Sequence, residues 1–218
     1  QKLAPFLQQH LEEKMSLKQI RRWLDAGLAT INGRKETFHH TKLHPNDRVE
    51  LIIPEKADSK IEMLFEDEAI LVINKPAGVV SDIKLEKKLK AFLTHRLDKA
   101  TSGALLLAKT KEARDFLFDE FKERRVKKEY LALVDGFMRK KEGTLTSYLK
   151  EASQFDGQKV WAVASHGLEA IVSWKVEKEG KVATLIRLFP ETGRMHQLRV
   201  QMSHLHHPIL GDKLYGRT

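Results

Sequence analysis

Apolar residues along this chain change period, and the changes outline its elements. Leu17, Ile20 and Leu24 recur at helical spacing behind Ser16, and Gln19 follows Ser16 by three positions, so a capped helix is expected to start at Ser16. The string DAGLATINGR at 25–34 then reads as helix end, short strand and Asn-Gly turn, and residues 43–53 offer a second turn and strand around Pro45-Asn46-Asp47. A polar run, PEKADSK at 54–60, interrupts the pattern. Beyond it the period becomes two: Ile61, Met63 and Phe65 alternate, and continuous or alternating apolar stretches at 69–73, 104–108, 130–134, 170–176 and 182–188 predict further strands. Thr110 is placed to cap a helix whose stripe Ala113, Phe116, Leu117 and Phe121 is expected in the core. A last helix is expected after Thr192-Gly193, with Met195, Leu198, Met202 and Leu205 on one side. The expected division is a small α/β domain at 1–54, a linker at 55–60, and an α+β domain at 61–218. The larger domain should hold a mixed, mainly antiparallel sheet flanked by helices and loops. The chain shows neither an internal repeat nor a low-complexity segment.

Charge narrows the partner. Among 218 residues, 39 Lys and Arg stand against 30 Asp and Glu, a formal net charge of +9, which favours a polyanion, with nucleic acid first. At 41% hydrophobic residues there is enough apolar surface for a core. With no cysteine, disulfides, thiolate metal sites and cysteine nucleophiles are excluded, and a reducing cytoplasm is compatible. No apolar run approaches the roughly 18 residues that a membrane-spanning helix needs. No signal-like segment opens the chain, although a first residue Gln1 rather than Met leaves room for a natural start and a targeting segment upstream.

Four constellations are candidates for chemistry. Lys18, Arg21 and Arg22 share the helix face opposite Ile20 and Leu24, where they can grip phosphates or simply be solvated. The string HRLDKATSG at 95–103 sets Asp98 among His95, Arg96 and Lys99, cations that favour its carboxylate form. By themselves these residues fit a surface ion pair at least as well as a reactive centre. His196, His204, His206 and His207 invite a metal reading, but no H-E-x-x-H-like carboxylate motif accompanies them. The run Lys122, Arg124, Arg125, Lys127 and Lys128 is either a solvated helix end or a phosphate-tracking patch.

Taken in order, INKPAG at 73–78, HRLDKATSG at 95–103, KKEYLALVDG at 127–136, and ETGRMHQLRV with HPILGDKLYG between Glu191 and Gly216 resemble the RluA family of pseudouridine synthases. The preceding basic helix with INGR and LHPNDRVELI resembles the alpha-L RNA-binding domain first described in a small-subunit ribosomal protein. The resemblance implies isomerisation of selected uridines in RNA to pseudouridine, without cofactor or metal. Large-subunit ribosomal RNA is the first expectation for the substrate, with transfer RNA open, and a monomer is the default state.

By the same resemblance Asp98 is the nucleophile, toward ribose or uracil ring, and Tyr130 stacks on the base and shares in proton transfer. Arg194 is expected to pair with Asp98, Arg96 to contact the space left by the extruded base, and Leu198 to lie beside the uracil. Lys75 is expected to be structural. The resemblance is weakest at 80–94, where the approach to His95 is short and lacks a Pro-Gly pair, and at Ala100, where an acidic residue is often found. A non-catalytic RNA-binding or ribosome-assembly protein on the same scaffold is the alternative. It would have no chemical need for Asp98, Tyr130 and Arg194 together.

Overall fold

The structure is a computed structural model that describes residues 1–11, 15–53, 61–155 and 157–216, so the expected linker lies outside the described residues. The chain divides into two compact units, Gln1–Lys60 and Ile61–Thr218.

In the first unit, α1 (Leu3–His10) and α2 (Leu17–Asp25) pack with β1 (Ala29–Ile31), β2 (Arg34–Glu36) and β3 (Val49–Leu51), ordered β2-β1-β3 with antiparallel pairing. Ser16 caps α2, its Oγ accepting from the Gln19 N–H at 3.2 Å. The helix buries Ile20 and Leu24 against Leu3, Leu7 and Ala29 and leaves Lys18, Arg21 and Arg22 exposed. Asn32 and Gly33 between β1 and β2 both have positive φ, 51° and 77°, the backbone of a two-residue hairpin turn whose twist matches its strands. Asn32 also ties the two turns together, donating to Asp47 Oδ1 at 2.7 Å and accepting from the Arg48 N–H at 2.9 Å.

The second unit carries two sheets. The first, ordered β4-β5-β7-β6, is made of β4 (Glu62–Glu66), β5 (Ile70–Lys75), β6 (Phe92–Leu93) and β7 (Gly103–Ala108), with α3 (Ile83–Leu89) between β5 and β6. After α4 (Lys111–Lys122) come β8 (Tyr130–Asp135), β9 (Glu142–Phe155), β10 (Gln158–Ala164), β11 (Leu168–Lys178) and β12 (Ala183–Pro190), paired as β10-β9-β11-β12-β8, and α5 (Gln197–His204) follows. Every strand pairing in the two sheets is antiparallel among the described residues. Alternation in β11 and β12 buries Val172, Trp174, Ile186 and Leu188, over which α5 lays Met202. Leu71, Ile73, Leu105 and Leu107 form the core of the other sheet, with Leu85 of α3 and Leu97. Tyr130 packs against both cores, at the seam of the two sheets.

Two expectations need correction. The α4 stripe is not core: no residue of α4 is buried, and Phe116 is 64% exposed. Thr110 does cap the helix, accepting from the Ala113 N–H, but the packing on the sheet edge runs through Arg114 over the Phe92 ring and Phe121 stacked on His95. Within the short segment 80–94 lies α3, whose start is set by Asp82 accepting from the Lys84 and Leu85 N–H groups. The last helix begins at Gln197 rather than directly after Thr192-Gly193. Gln197 folds back so that its Oε1 accepts from Thr192 Oγ1 at 2.7 Å and from the Arg194 N–H at 3.0 Å, which holds 192–196 as a turn.

Candidate active site

Asp98 lies in the loop between β6 and β7, and buried polar contacts fix that loop from both sides. Ser81 is 7% exposed; its Oγ donates to the Leu97 carbonyl at 3.0 Å and accepts from the Leu97 N–H at 3.3 Å. Thr94 Oγ1 donates to the Leu106 carbonyl, and His95 Nε2 accepts from the Leu106 N–H at 3.0 Å, so two side chains replace a ladder partner for β7. Burial, reinforced by the nearby Lys128 cation, pushes the His95 pKa down to about 4 and keeps the ring neutral, as its acceptor role requires. Beneath the loop lies Lys75, fully buried, its ammonium donating to the carbonyls of Pro76 and Val79. Burial lowers its pKa while the Asp98 charge opposes the shift. Lys75 is thus both a structural tie and a cation within electrostatic reach of Asp98.

The α5 helix supplies the partner for the carboxylate. Arg199 Nη1 donates to Asp98 Oδ2 at 3.0 Å, and its other two nitrogens form a fork onto Asp212, Nε to Oδ2 at 2.7 Å and Nη2 to Oδ1 at 2.9 Å. Asp212 also accepts from the Leu214 and Tyr215 N–H groups, so the C-terminal turn and the arginine are locked together. The Arg199 guanidinium sits 5.0 Å from the centroid of the Tyr215 ring. Burial works against the Arg199 cation but is outweighed by Asp212 and Asp98, which hold its pKa above the ordinary value. Burial likewise opposes the Asp212 carboxylate, and Arg199 with the two backbone N–H groups holds its pKa below the usual range.

His196 completes the wall. It adopts φ 54°, places Nε2 3.9 Å from Asp98 Oδ2, and meets the Tyr215 hydroxyl through Nδ1 at 2.9 Å; that hydroxyl accepts from the Trp161 N–H. Burial and the Arg199 charge lower the His196 pKa against the pull of Asp98 and Asp212. Tyr130, half-buried at the start of β8, has its pKa raised by burial and then by the Asp98 charge, so its hydroxyl keeps its proton near neutrality and lies within electrostatic reach of that carboxylate.

Asp98 thus lies within electrostatic reach of Tyr130, while its arginine partner is not Arg194. Arg194 stands in the turn ahead of α5 with its Nε donating to the Glu169 carbonyl at 2.9 Å, whereas Arg199, within the helix, reaches the aspartate. The string ETGRMHQLRV contains both arginines, and only the true helix start at Gln197 separates them. Asp212, in HPILGDKLYG, was equally overlooked; the available signal was a second carboxylate in a string that a half-buried arginine has to satisfy. Arg96 is exposed beside Asp98, and Leu198 is half-buried against the core of the second sheet. Lys18, Arg21 and Arg22 belong to the first unit. The histidines that suggest a metal are separately employed, His196 with Tyr215 and His207 with the Asp135 carbonyl, and no three ligand-type side chains converge among the described residues.

A family model described as RNA pseudouridylate synthase matches residues 69–204. The ribosomal large subunit pseudouridine synthase D of Haemophilus influenzae is 31% identical over 92% of this chain and 69% of its own length. A Helicobacter pylori protein named as an uncharacterized RNA pseudouridine synthase is 35% identical over 94% of this chain and 83% of its own. Among solved structures, human RNA pseudouridylate synthase domain containing 1 superposes with a TM-score of 0.65 at 32% identity, covering 72% of this chain and 70% of that one.

Proposed function

This chain belongs to the RluA family of RNA pseudouridylate synthases, and on that premise we propose that it isomerises uridines of structured RNA, in large-subunit ribosomal RNA, with Asp98 as the nucleophile. The observation that carries the assignment is the Asp98–Arg199–Asp212 chain of hydrogen bonds, with Tyr130 within electrostatic reach of Asp98 at the seam of two sheets. Arg199 and His196 both address Oδ2, which leaves Oδ1 for the nucleoside.

The target nucleotide leaves its stack at a cost of about a few kcal/mol, and Arg96, exposed two residues before Asp98, is the group we assign to the vacated space. The Asp98 carboxylate donates an electron pair to ribose C1′ or to the uracil ring. By either route the N1–C1′ bond breaks, the detached uracil turns, and C5 bonds to C1′ as the carboxylate is released. The proton on C5 leaves and N1 gains one, so atoms and charge balance without an external reactant. Tyr130, whose phenol is protonated, fits a stacking and proton-relay role better than that of a standing phenolate base. Leu198 offers an apolar edge to the uracil. Arg199, not Arg194, keeps the carboxylate oriented.

The first unit is assigned to RNA binding of the alpha-L type, on its basic α2 face of Lys18, Arg21 and Arg22 and its resemblance in sequence. A cytoplasmic monomer is the working state.

The test is direct. Ribosomal RNA lacking its pseudouridines is incubated with the parent protein or Asp98→Asn, and modified positions are mapped. The variant should lose activity by more than about 10³-fold while retaining RNA affinity; a variant that turns over at the parent rate would remove Asp98 from its role.

A further inference from the structure

Away from the Asp98–Arg199 pair, Lys128 meets the turn that precedes α5, Arg194 stands in that turn, and both Arg194 and Arg124 reach Glu169 of β11. Lys128, just ahead of β8, donates from Nζ to the Thr192 carbonyl at 3.0 Å and more weakly to that of Glu191 at 3.4 Å. It lies so close to Gly193 that a Cβ there would come within 3.8 Å of Nζ. Arg194 follows directly, its Nε on the Glu169 carbonyl. Arg124, after α4 with φ 59°, reaches the Glu169 carboxylate from the other side at 3.4 Å, a long contact between two groups that are each more than 40% exposed. Of the three, Arg124 meets a carboxylate, whereas Arg194 and Lys128 meet backbone carbonyls. Lys128 feels both arginines: burial first, then Arg124 and Arg194, pull its pKa below the ordinary lysine value. His95, which also feels Lys128, is neutral and contributes nothing to offset or increase the charge.

Carbonyls do not neutralise a charge, and the one exposed Arg124–Glu169 pair leaves like charges facing each other around Lys128. An external anion offsets them. The cluster also has a definite position relative to the chemistry: Lys128 precedes Tyr130 by two residues, both inward-leaning between the exposed Lys127, Glu129 and Leu131, and its charge is felt at His95, three residues before Asp98.

We propose that Arg124, Lys128 and Arg194 form a binding site for a backbone phosphodiester of the RNA strand that carries the target uridine. The site holds that strand while the nucleotide is turned out toward Asp98. This inference rests on the assignment of Asp98 as the reactive group, and it gives Arg194 a role other than the pairing expected of it. Guanidinium forks and an ammonium held by carbonyls suit a tetrahedral oxyanion, and Gly193 lets the strand approach without a side chain in the way.

The test measures equilibrium binding of a uridine-containing RNA stem-loop between 50 and 300 mM KCl, in the Asp98→Asn background so that turnover plays no part. Lys128→Gln and Arg124→Gln are compared with that background. Glutamine at 128 keeps an N–H donor for the Thr192 carbonyl, and Arg124→Gln decides the matter if the first variant fails to fold. Each should weaken binding about five- to tenfold at 100 mM salt and reduce the slope of log K against log salt by about 0.7 to 0.9. Uncharged methylphosphonates are then placed one at a time around the target uridine. At one linkage the substitution should weaken the background protein and cost the variants nothing further. Parent slopes in both variants would overturn the site, and so would a reduced slope that couples to no linkage, since that reports general attraction only. Full turnover by Asp98→Asn would instead fell the mechanistic assignment and leave the salt slopes to judge the phosphate site separately.

Discussion

Arg199 has the most constrained side chain of the site, since all three of its nitrogens are engaged and two of them belong to Asp212. Asp212→Asn keeps the shape but removes the charge, and one amide nitrogen would then face a guanidinium donor. The guanidinium loses half its fork and can swing from Asp98, and a displacement near 1 Å at a reacting group costs roughly 10²-fold in rate. The expected outcome is a kcat reduced by about 10- to 100-fold with little change in RNA affinity, partly restored by Asp212→Glu, and stability lowered by about 1–3 kcal/mol in urea unfolding. The strings at 95–103 and 127–136 single out Asp98 and Tyr130 as candidates, whereas two arginines five residues apart, Arg194 and Arg199, satisfy the same string, so the sequence does not single out the one that reaches Asp98. His95 makes a second prediction. Its folded pKa, about 4, lies below the unfolded value near 6.5, so between those pH values the unfolded chain binds more protons. The contribution is fully present above about pH 6.5 and is lost as the pH falls toward 4, amounting to roughly 3 kcal/mol at most. His95→Gln should flatten that part of the stability curve measured by denaturant unfolding; an unchanged acid limb would show that another group sets it.

At the scale of elements, legibility followed how strongly local chemistry and burial agreed. Ser16 and Thr110 announce α2 and α4, and both caps are made. In α3 only Leu85 and Leu89 share an apolar face, a single i, i+4 pair too short to stand out, Ile83 is 60% exposed, and Asp82 marks the start. The long hairpin of β9 and β10 was missed for a related reason. Burial alternates over 142–149, but two of its four inward residues are Gly143 and Ser147, the latter held by Gln201 Nε2, and beyond Leu149 no residue is buried, so the apolar pattern of a strand does not show in the sequence. The α4 stripe failed in the opposite sense, since an apolar spacing does not tell a core helix from one resting on a sheet edge. Asp82→Ala should therefore cost about 1 kcal/mol, as for other lost caps. The effect should reach the Asp98 loop, because Glu86 of α3 accepts from the Leu93 N–H at 2.7 Å. Phe116→Gln should change stability by less than about 0.5 kcal/mol, against about 2–5 kcal/mol for Leu107→Ala in the core. A large loss at Phe116 in urea unfolding would mean that α4 is buried in solution.

For the whole molecule the decisive quantity is charge. A net +9 is spread over two units, each with its own apolar core, so stability and RNA affinity draw on different residues. Lys18 and Arg21 stand exposed on α2, whose opposite side holds Ile20 and Leu24, and neutralising them removes no packing. If the first unit grips the RNA backbone, Lys18→Gln with Arg21→Gln should lower the slope of log K against log salt by about 1.4 to 1.8 and leave unfolding of both units where it was. Paired with Lys128→Gln, the losses should add, because residues that share neither a partner nor a core do not couple. Binding isotherms of the separate and combined variants at several salt concentrations measure this. A combined slope no smaller than that of Lys128→Gln alone would mean that the α2 cations are merely solvated, and that the second unit carries the phosphate contacts of the protein by itself.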